Sequence, residues 1–546
     1  MDPIPNSNSI EQPTQEVNSV LRAHVFNMMP IRLLQLPEMK LIERGDVFKH
    51  LLPKMSDITE AWIEDRIKST KWESVAFVSG KIDRRKRVIE EAVTERAQYA
   101  ILSHTWLLEE REITYGDWVS QQNLSGAGYA KLKNFCKVAY HDHGMTLAWL
   151  DTLCINKDST SELDESIRSM YRWYLHSAIC IIILADTSII DDVPKDRWFT
   201  RGWTLQELLA PSRLKFYSKD WKPLLQGHND KAYVEKDEDN SDGDDSNSDD
   251  STSADGNNLS VFGPLIEQAT GISLNELRTF DPAGTRRNIP TRMMWASKRV
   301  TTREEDSAYC LMGIFGVSFS IAYGEGRERA FFRLLEAIMT TYRDILAILD
   351  WSGKPIGHDV HATSLLPSGP ECYKLAPGDK RLESFAWYDI QDYVPFSFAP
   401  KEPMTLTHLG IRIDLYCVPA TVHSFEEKDG IYTVYMKCGA RFCEEPIAIN
   451  VYPHTYAMFD EDEDEGYGKE FMFGIWTFER DSQDTVYIPN EPCRVFLLES
   501  TDPYQPIEMP RLWHKVDTPD PLRISPDSPW EDDWDKEKIS IKTFIL

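Results

Sequence analysis

The sequence predicts an α/β domain built on a parallel sheet with helices on both faces, followed by a helical subdomain and a C-terminal antiparallel β domain. From Tyr99, short apolar runs alternate with stretches of helical periodicity, the pattern of strands joined by right-handed helical crossovers. From Leu259 to Asp350 the periodicity is helical. After Trp351 it becomes an alternation at period two between Pro, Gly and Asp turns, as in half-buried antiparallel strands.

At 546 residues the chain exceeds the roughly 250 to 300 residues at which single cores stop growing. Composition shifts divide it into a loose polar tail (1–30), an N-terminal extension (31–98), the α/β domain (99–225), an acidic insertion (226–260), the helical subdomain (261–350) and the β-rich domain (351–546). Within the extension, IRLLQL (Ile31 to Leu36) reads as a short strand and Lys54 to Gln98 as one or two helices. YAILS is the first strand of the α/β domain. Leu132, Phe135, Cys136 and Ala139 then recur at helical steps, and LAWLDTLCI (Leu147 to Ile155) is the second strand. Ser161 with Asp164 forms a capping box for the next helix. AICIIILAD (Ala178 to Asp186), a helix containing Trp203, and RLKFYS (Arg213 to Ser218) complete the alternation.

Between Glu235 and Asn258 ten acids and one lysine give a local charge of −9, leaving −19 of the total −28. Such a segment cannot bury enough apolar surface to offset its ordering and reads as a disordered insertion. Further on, Thr302 with Glu305 could cap a helix, and GEG at Gly324 to Gly326 reads as a turn into another. The six-acid run Asp460 to Glu465 reads as a solvated loop between β strands.

The net charge and a pI near 4.9 argue against nucleic acid or an anionic membrane as partner. Nine dispersed cysteines without a CxxC suit reduced thiols and a cytoplasmic location. The amino terminus lacks a basic start and an apolar core, so no secretory signal is expected, and no apolar run approaches the ~18 to 20 residues of a membrane span. His141 and His143 lack further ligands in range, so no metal site is expected.

Candidate site residues follow from the sheet. Ligands of open parallel sheets bind at the carboxyl ends of strands, where YAILSHTW delivers Ser103, His104 and Trp106. A capped turn with a packed indole is the alternative. Ser103 and His104 are adjacent and point to opposite faces, so they cannot form a dyad. Asp151, inside an apolar strand, needs a cation or donors. Arg201 is its candidate partner, either as a structural ion pair or beside a ligand. In WFTRGWTLQELLA, Trp203 and Glu207 share a helical face opposite Leu205, Leu208 and Leu209, which displays the carboxylate to solvent beside an indole.

YAILSHTW, WLDTLCINKDSTSELDESIRSMYRWY and RWFTRGWTLQELLAP occur in this order between Tyr99 and Ser218, and together they resemble the fungal heterokaryon incompatibility (HET) domain family. Leu107 replaces the usual Gly after HTW, and Leu153 with Cys154 replaces the paired cysteines of DTCCI. The resemblance implies triggering of regulated cell death when genetically different fungal cells fuse, a form of non-self recognition akin to innate immunity. It also implies a flavodoxin-like, distantly TIR-like fold. In TIR enzymes the Glu of the WCxxEL helix is needed to cleave NAD, and the matching position is Glu207. The implied chemistry is NAD glycohydrolysis with NAD as substrate rather than resident cofactor. Ser103, His104, Trp106, Asp151, Arg201 and Trp203 would surround it. The implied partners are a homo-oligomer or other death-signalling proteins. The alternative is a non-enzymatic, self-associating signalling or scaffold module.

Overall fold

The structure, a computed structural model, describes residues 14–70, 83–107, 111–231, 253–283, 289–342, 346–357, 359–361 and 365–374. Beyond these it describes 404–408, 410–438, 445–457, 470–475, 479–480, 486–487, 493–500, 513–516, 518–519, 522–524 and 540–545. The core of the acidic insertion and the Asp460 to Glu465 run lie outside the described residues. The chain forms two compact units, Met1–Gly284 and Thr285–Leu546. The division splits the expected helical subdomain.

In the first unit, helix α1 (Gln15–Asn27) lies within the stretch expected to be a loose tail. Thr14 accepts a hydrogen bond from Val17 N, and Val17, Leu21, His24 and Val25 bury one face, a spacing that polar composition alone obscured. Strands β1 (Arg32–Gln35) and β2 (Lys40–Glu43) form an antiparallel hairpin. Helices α2 (Arg44–Leu51), α3 (Glu60–Ser69) and α4 (Arg84–Arg96) follow.

The alternating region contains β3 (Ala100–His104), α5 (Tyr115–Ser120), α6 (Gly126–His141), β4 (Leu147–Trp149), α7 (Asp151–Cys154), α8 (Thr160–Leu175), β5 (Ile179–Ile183), α9 (Thr204–Leu209) and β6 (Leu214–Tyr217). Helices α10 (Ser253–Thr270) and α11 (Leu274–Thr279) complete the unit. Ser159, rather than Ser161, caps α8 by accepting from Glu162 N.

The sheet order is β2-β1-β4-β3-β5-β6. β3 pairs in parallel with β4 and β5, and β5 with β6, whereas β1 pairs antiparallel with β4. The sheet is therefore mixed, because the supposed extension contributes its hairpin to the edge. Strands β3 to β6 are buried along their whole length, as expected of strands covered on both faces. Counted from β3, the parallel strands lie in the order 2-1-3-4. The chain steps from β3 to one side, then crosses to the other, so the carboxyl ends of β3 and β5 flank a topological switch point.

The second unit begins with helices α12 (Ile289–Ala296), α13 (Asp306–Tyr309), α14 (Met312–Phe315) and α15 (Arg327–Thr341). Glu305 forms no side-chain cap on α13. Its carboxylate accepts instead from Gly324 N (2.7 Å) and Gly326 N (3.3 Å), pinning the glycine turn before α15. A nine-stranded sheet follows, antiparallel in its described pairings. Its core includes Val418, Val434, Phe473, Ile475 and Leu497. Asp429 and Gly430, both at positive φ (53° and 77°), join Lys428 to Ile431 across its longest hairpin, the two-residue turn that Asp-Gly favours.

Candidate functional site

Ser103 and His104 close β3 at the switch point and, one residue apart, build separate clusters. Ser103 Oγ donates to Glu207 Oε2 (2.5 Å) and accepts from Trp198 Nε1 (2.8 Å). Tyr174 donates its hydroxyl to Leu102 O (2.9 Å) and also interacts with the Glu207 carboxyl. Thr204 Oγ1, at the start of α9, donates to Trp198 O (2.6 Å) and Arg201 O (3.0 Å). These bonds tie the helix carrying Glu207 to the turn carrying Trp198.

Glu207 is only 8% exposed, and every residue of α9 is buried. The displayed carboxylate expected from helical spacing is corrected here. A six-residue helix packed against α8, α11 and β3 has no solvent face, so the polar residue turns inward to a hydroxyl. Burial pushes the Glu207 carboxyl up to about 7. The Ser103 hydrogen bond opposes that, the negative charge of Asp151 adds to it, and Arg201 and Tyr174 pull it down.

The second cluster centres on Asp151. This residue opens α7 instead of lying inside a strand, because β4 ends at Trp149. His104 Nε2 lies 3.1 Å from Asp151 Oδ1, Trp106 Nε1 donates to Oδ2 (3.1 Å), and Lys157 Nζ lies 3.5 Å from Oδ2. Asp151 is thus paired as its sequence context demanded, but chiefly with Lys157 and the two rings. Burial alone would raise its carboxyl, yet the charge of Lys157, the His104 hydrogen bond and the charges of His104 and Arg201 hold it well below the usual range. Burial, reinforced by the charge of Lys131, lowers His104 against the pull of Asp151. A neutral His104 donating from Nε2 leaves Nδ1 as an acceptor, buried and without a hydrogen-bond partner among the described residues.

Trp106 is 38% exposed and carries two cations over its ring, Lys157 Nζ at 4.1 Å and the Arg201 guanidinium at 5.7 Å from the centroid. An indole flanked by cations can stack on a ring and meet an anion. Trp203 opens α9 half buried, but the indole that reaches Ser103 is that of Trp198. Sequence reasoning missed Trp198, Tyr174 and Lys157. The RWFTRGW run and the first cation after Asp151 were their available signals. Among the described residues no group of three His, Cys, Asp or Glu could hold a metal ion, and no helix is long and apolar enough to cross a membrane. Cys136, Cys154, Cys180, Cys310, Cys372, Cys417 and Cys438 are free thiols.

Residues 99–192 match the family described as heterokaryon incompatibility protein (HET). The match includes Ser103, His104, Trp106, Asp151 and Lys157 and ends before Trp198, Arg201 and Glu207. The chain is also similar to the vegetative incompatibility protein HET-E-1 of Podospora anserina, 38% identical over 251 residues. That alignment covers 44% of this chain and 16% of the relative, so the chain spans about a sixth of the protein it resembles. No solved structure matches.

Proposed function

From the premise that this chain is a HET-domain protein, we propose that it acts in fungal vegetative incompatibility, triggering cell death by cleaving NAD at the TIR-like switch point of its sheet. One observation carries the reading. The carboxyl of Glu207 meets the Ser103 hydroxyl 2.5 Å away at the carboxyl end of β3, beside a rim on which Trp106 is flanked by Lys157 and Arg201. In this reaction the bond between nicotinamide and the ribose carbon breaks, and its electron pair leaves with neutral nicotinamide. The ionised Glu207 stabilises the positive charge that develops on the sugar, and water then adds to that carbon and releases a proton. Nicotinamide needs no general acid. Trp106 supports a ring, and Lys157 and Arg201 face the diphosphate.

A different observation favours a second reading. Glu207 is 8% exposed and already satisfied by Ser103, as befits an anchor between β3 and α9 in a non-enzymatic module that self-associates and recruits death-signalling partners. The enzymatic reading requires the crevice to open, and assembly of several copies is the event assigned to open it.

Purified full-length protein, dilute and after induced self-association, is incubated with NAD and nicotinamide release is followed. The enzymatic reading expects release by the assembled wild type and a loss of about 100-fold or more in Glu207→Gln, the scale of removing an electrostatic stabiliser. Assembled wild type that releases nothing, together with Glu207→Gln that still triggers death in fungal cells, would establish the scaffold reading instead.

A further inference from the structure

Six residues are too few for a helix to hold itself, and the far end of α9 is held from outside. Lys231, 9% exposed, donates from Nζ to Leu209 O (2.8 Å) and Pro211 O (2.7 Å). The first carbonyl belongs to the last turn of α9 and the second lies just past it. Terminal carbonyls lack intrahelical partners and carry partial negative charge, so they favour a cation.

The ammonium is delivered there by its two neighbours, which close the free edge of β6. Asn229 Oδ1 accepts from Leu214 N (3.1 Å), and Asp230 Oδ2 accepts from Phe216 N (2.7 Å). Asp230 Oδ1 meets Lys215 Nζ at 2.8 Å in a pair whose side chains are 3% and 1% exposed. Three consecutive residues therefore seal a strand edge and clamp the end of the neighbouring helix. Two carbonyls could be satisfied by a neutral amide, and a buried ammonium carries a desolvation cost that an amide avoids. The charge itself then has a task. The buried thiol of Cys180 on β5 feels both Glu207 and Lys231, so the two charges share one interior neighbourhood.

We propose that Lys231 is a positioning residue for Glu207, its ammonium clamping the carboxyl end of α9 and so setting how the Glu207 carboxyl meets Ser103. The proposal rests on the reading of Glu207 as the working carboxylate and adds a residue that acts through the helix, not on a substrate.

The test uses the full-length chain with 15N-labelled tryptophan. The Trp198 indole N–H donates to Ser103 Oγ, so its resonance, identified by its loss in Trp198→Phe, reports the ionisation of Glu207. Asp151, Arg201 and Tyr174 are the other charged or titratable groups acting on Glu207, and Cys180 acts on Lys231. The wild-type resonance is expected to titrate with a midpoint of about 7. Lys231→Met should move that midpoint up by about half a pH unit or more, because releasing the end of α9 weakens the Ser103 hydrogen bond that holds the Glu207 carboxyl down, and Lys231→Arg should hold it. An unchanged midpoint in Lys231→Met, with only a lower melting temperature, would overturn the proposal by showing a purely structural lysine.

If Lys231→Met fails to fold, the wild type decides. Burial brings the Lys231 ammonium down to about 8, whereas a guanidinium stays charged. A second inflection of the Trp198 resonance near pH 8 should therefore appear in the wild type and not in Lys231→Arg, and its absence from both would refute the clamp. The indole signal needs no turnover. A chain that releases no nicotinamide yet shows these shifts would lose the enzymatic reading and keep the clamp.

Discussion

Glu207 and Asp151 are two carboxyls of one crevice driven in opposite directions, Glu207 up to about 7 and Asp151 well below the ordinary carboxylate range. Titratable groups pushed apart in this way mark sites where protonation states are assigned by structure. Because the folded value of Glu207 lies above the ordinary 4.5, the folded state holds a proton that the unfolded chain has released. The stability this contributes is fully present below about pH 4.5 and is lost as pH rises through about 7. Glu207→Gln carries no such charge, so its melting temperature should be close to wild type at pH 5 and higher at pH 8. The difference corresponds to an effect on the order of 3 kcal/mol. Thermal denaturation of both proteins across that range checks the sign, and a pH-independent difference would show that Glu207 does not titrate there. Asp151 makes the opposite case. Asp151→Ala removes the shared acceptor of His104 and Trp106 and leaves Lys157 with no carboxylate beside its indole. The expected cost is about 1 to 3 kcal/mol, visible as a lower urea midpoint at pH 7 together with a shift in tryptophan emission.

The first turn of α6 depends on a residue without a side chain. A Cβ on Gly128 would lie 2.3 Å from Arg111 O and 3.0 Å from Glu112 Cα, both backbone atoms that cannot swing away. Gly116, inside α5, would place its Cβ no nearer than 3.9 Å to anything. Gly128→Ala should therefore destabilise the first unit by about 1 to 3 kcal/mol through overpacking. Gly116→Ala should leave stability unchanged or raise it by up to about 1 kcal/mol, the helix preference for alanine over glycine. Chemical denaturation of the pair checks both, and equal effects would refute the packing argument. Elements were legible in the sequence wherever one period ran long enough. The apolar runs that became β3, β5 and β6 and the stripe that became α8 could be read directly, and Ser103 and His104 fell at the strand end where they were expected. What escaped was set by long-range partners. LAWLDTLCI reads as one strand, yet it leaves the sheet after Trp149 because Asp151 engages His104 and Trp106 from β3. Helical spacing turned Glu207 outward because amphipathic reasoning assumes a solvent face, and α9 has none. Trp198 and Tyr174 entered the site through contacts spanning 95 and 72 residues, whose partners the sequence around them does not specify, whereas Lys157 lies only 6 residues from Asp151 and was legible as the first cation after it.

Each compact unit encloses apolar residues of its own. The first contains the buried strands Ala100–His104, Leu147–Trp149, Ile179–Ile183 and Leu214–Tyr217. The second has a separate cluster around Val418, Val434, Phe473 and Leu497. Cooperative unfolding follows the boundary of a core, and a chain with two cores is expected to lose them in separate events. All the candidate site residues, from Ser103 to Lys231, fall in the first unit, which ends at Gly284. A chain comprising residues 1–284 should therefore fold alone and keep the Trp198 indole resonance at its full-length position, because the Ser103 and Glu207 partners of that resonance are all retained. Calorimetry of the full chain should correspondingly resolve two transitions, one of which coincides with that of the 1–284 chain. Glu207→Gln should move that transition at pH 8 and leave the other in place. A single transition for the full chain, with an unfolded 1–284 chain, would mean that the α/β unit depends on the β-rich unit for its stability. The switch-point site could then not be treated as the property of one domain.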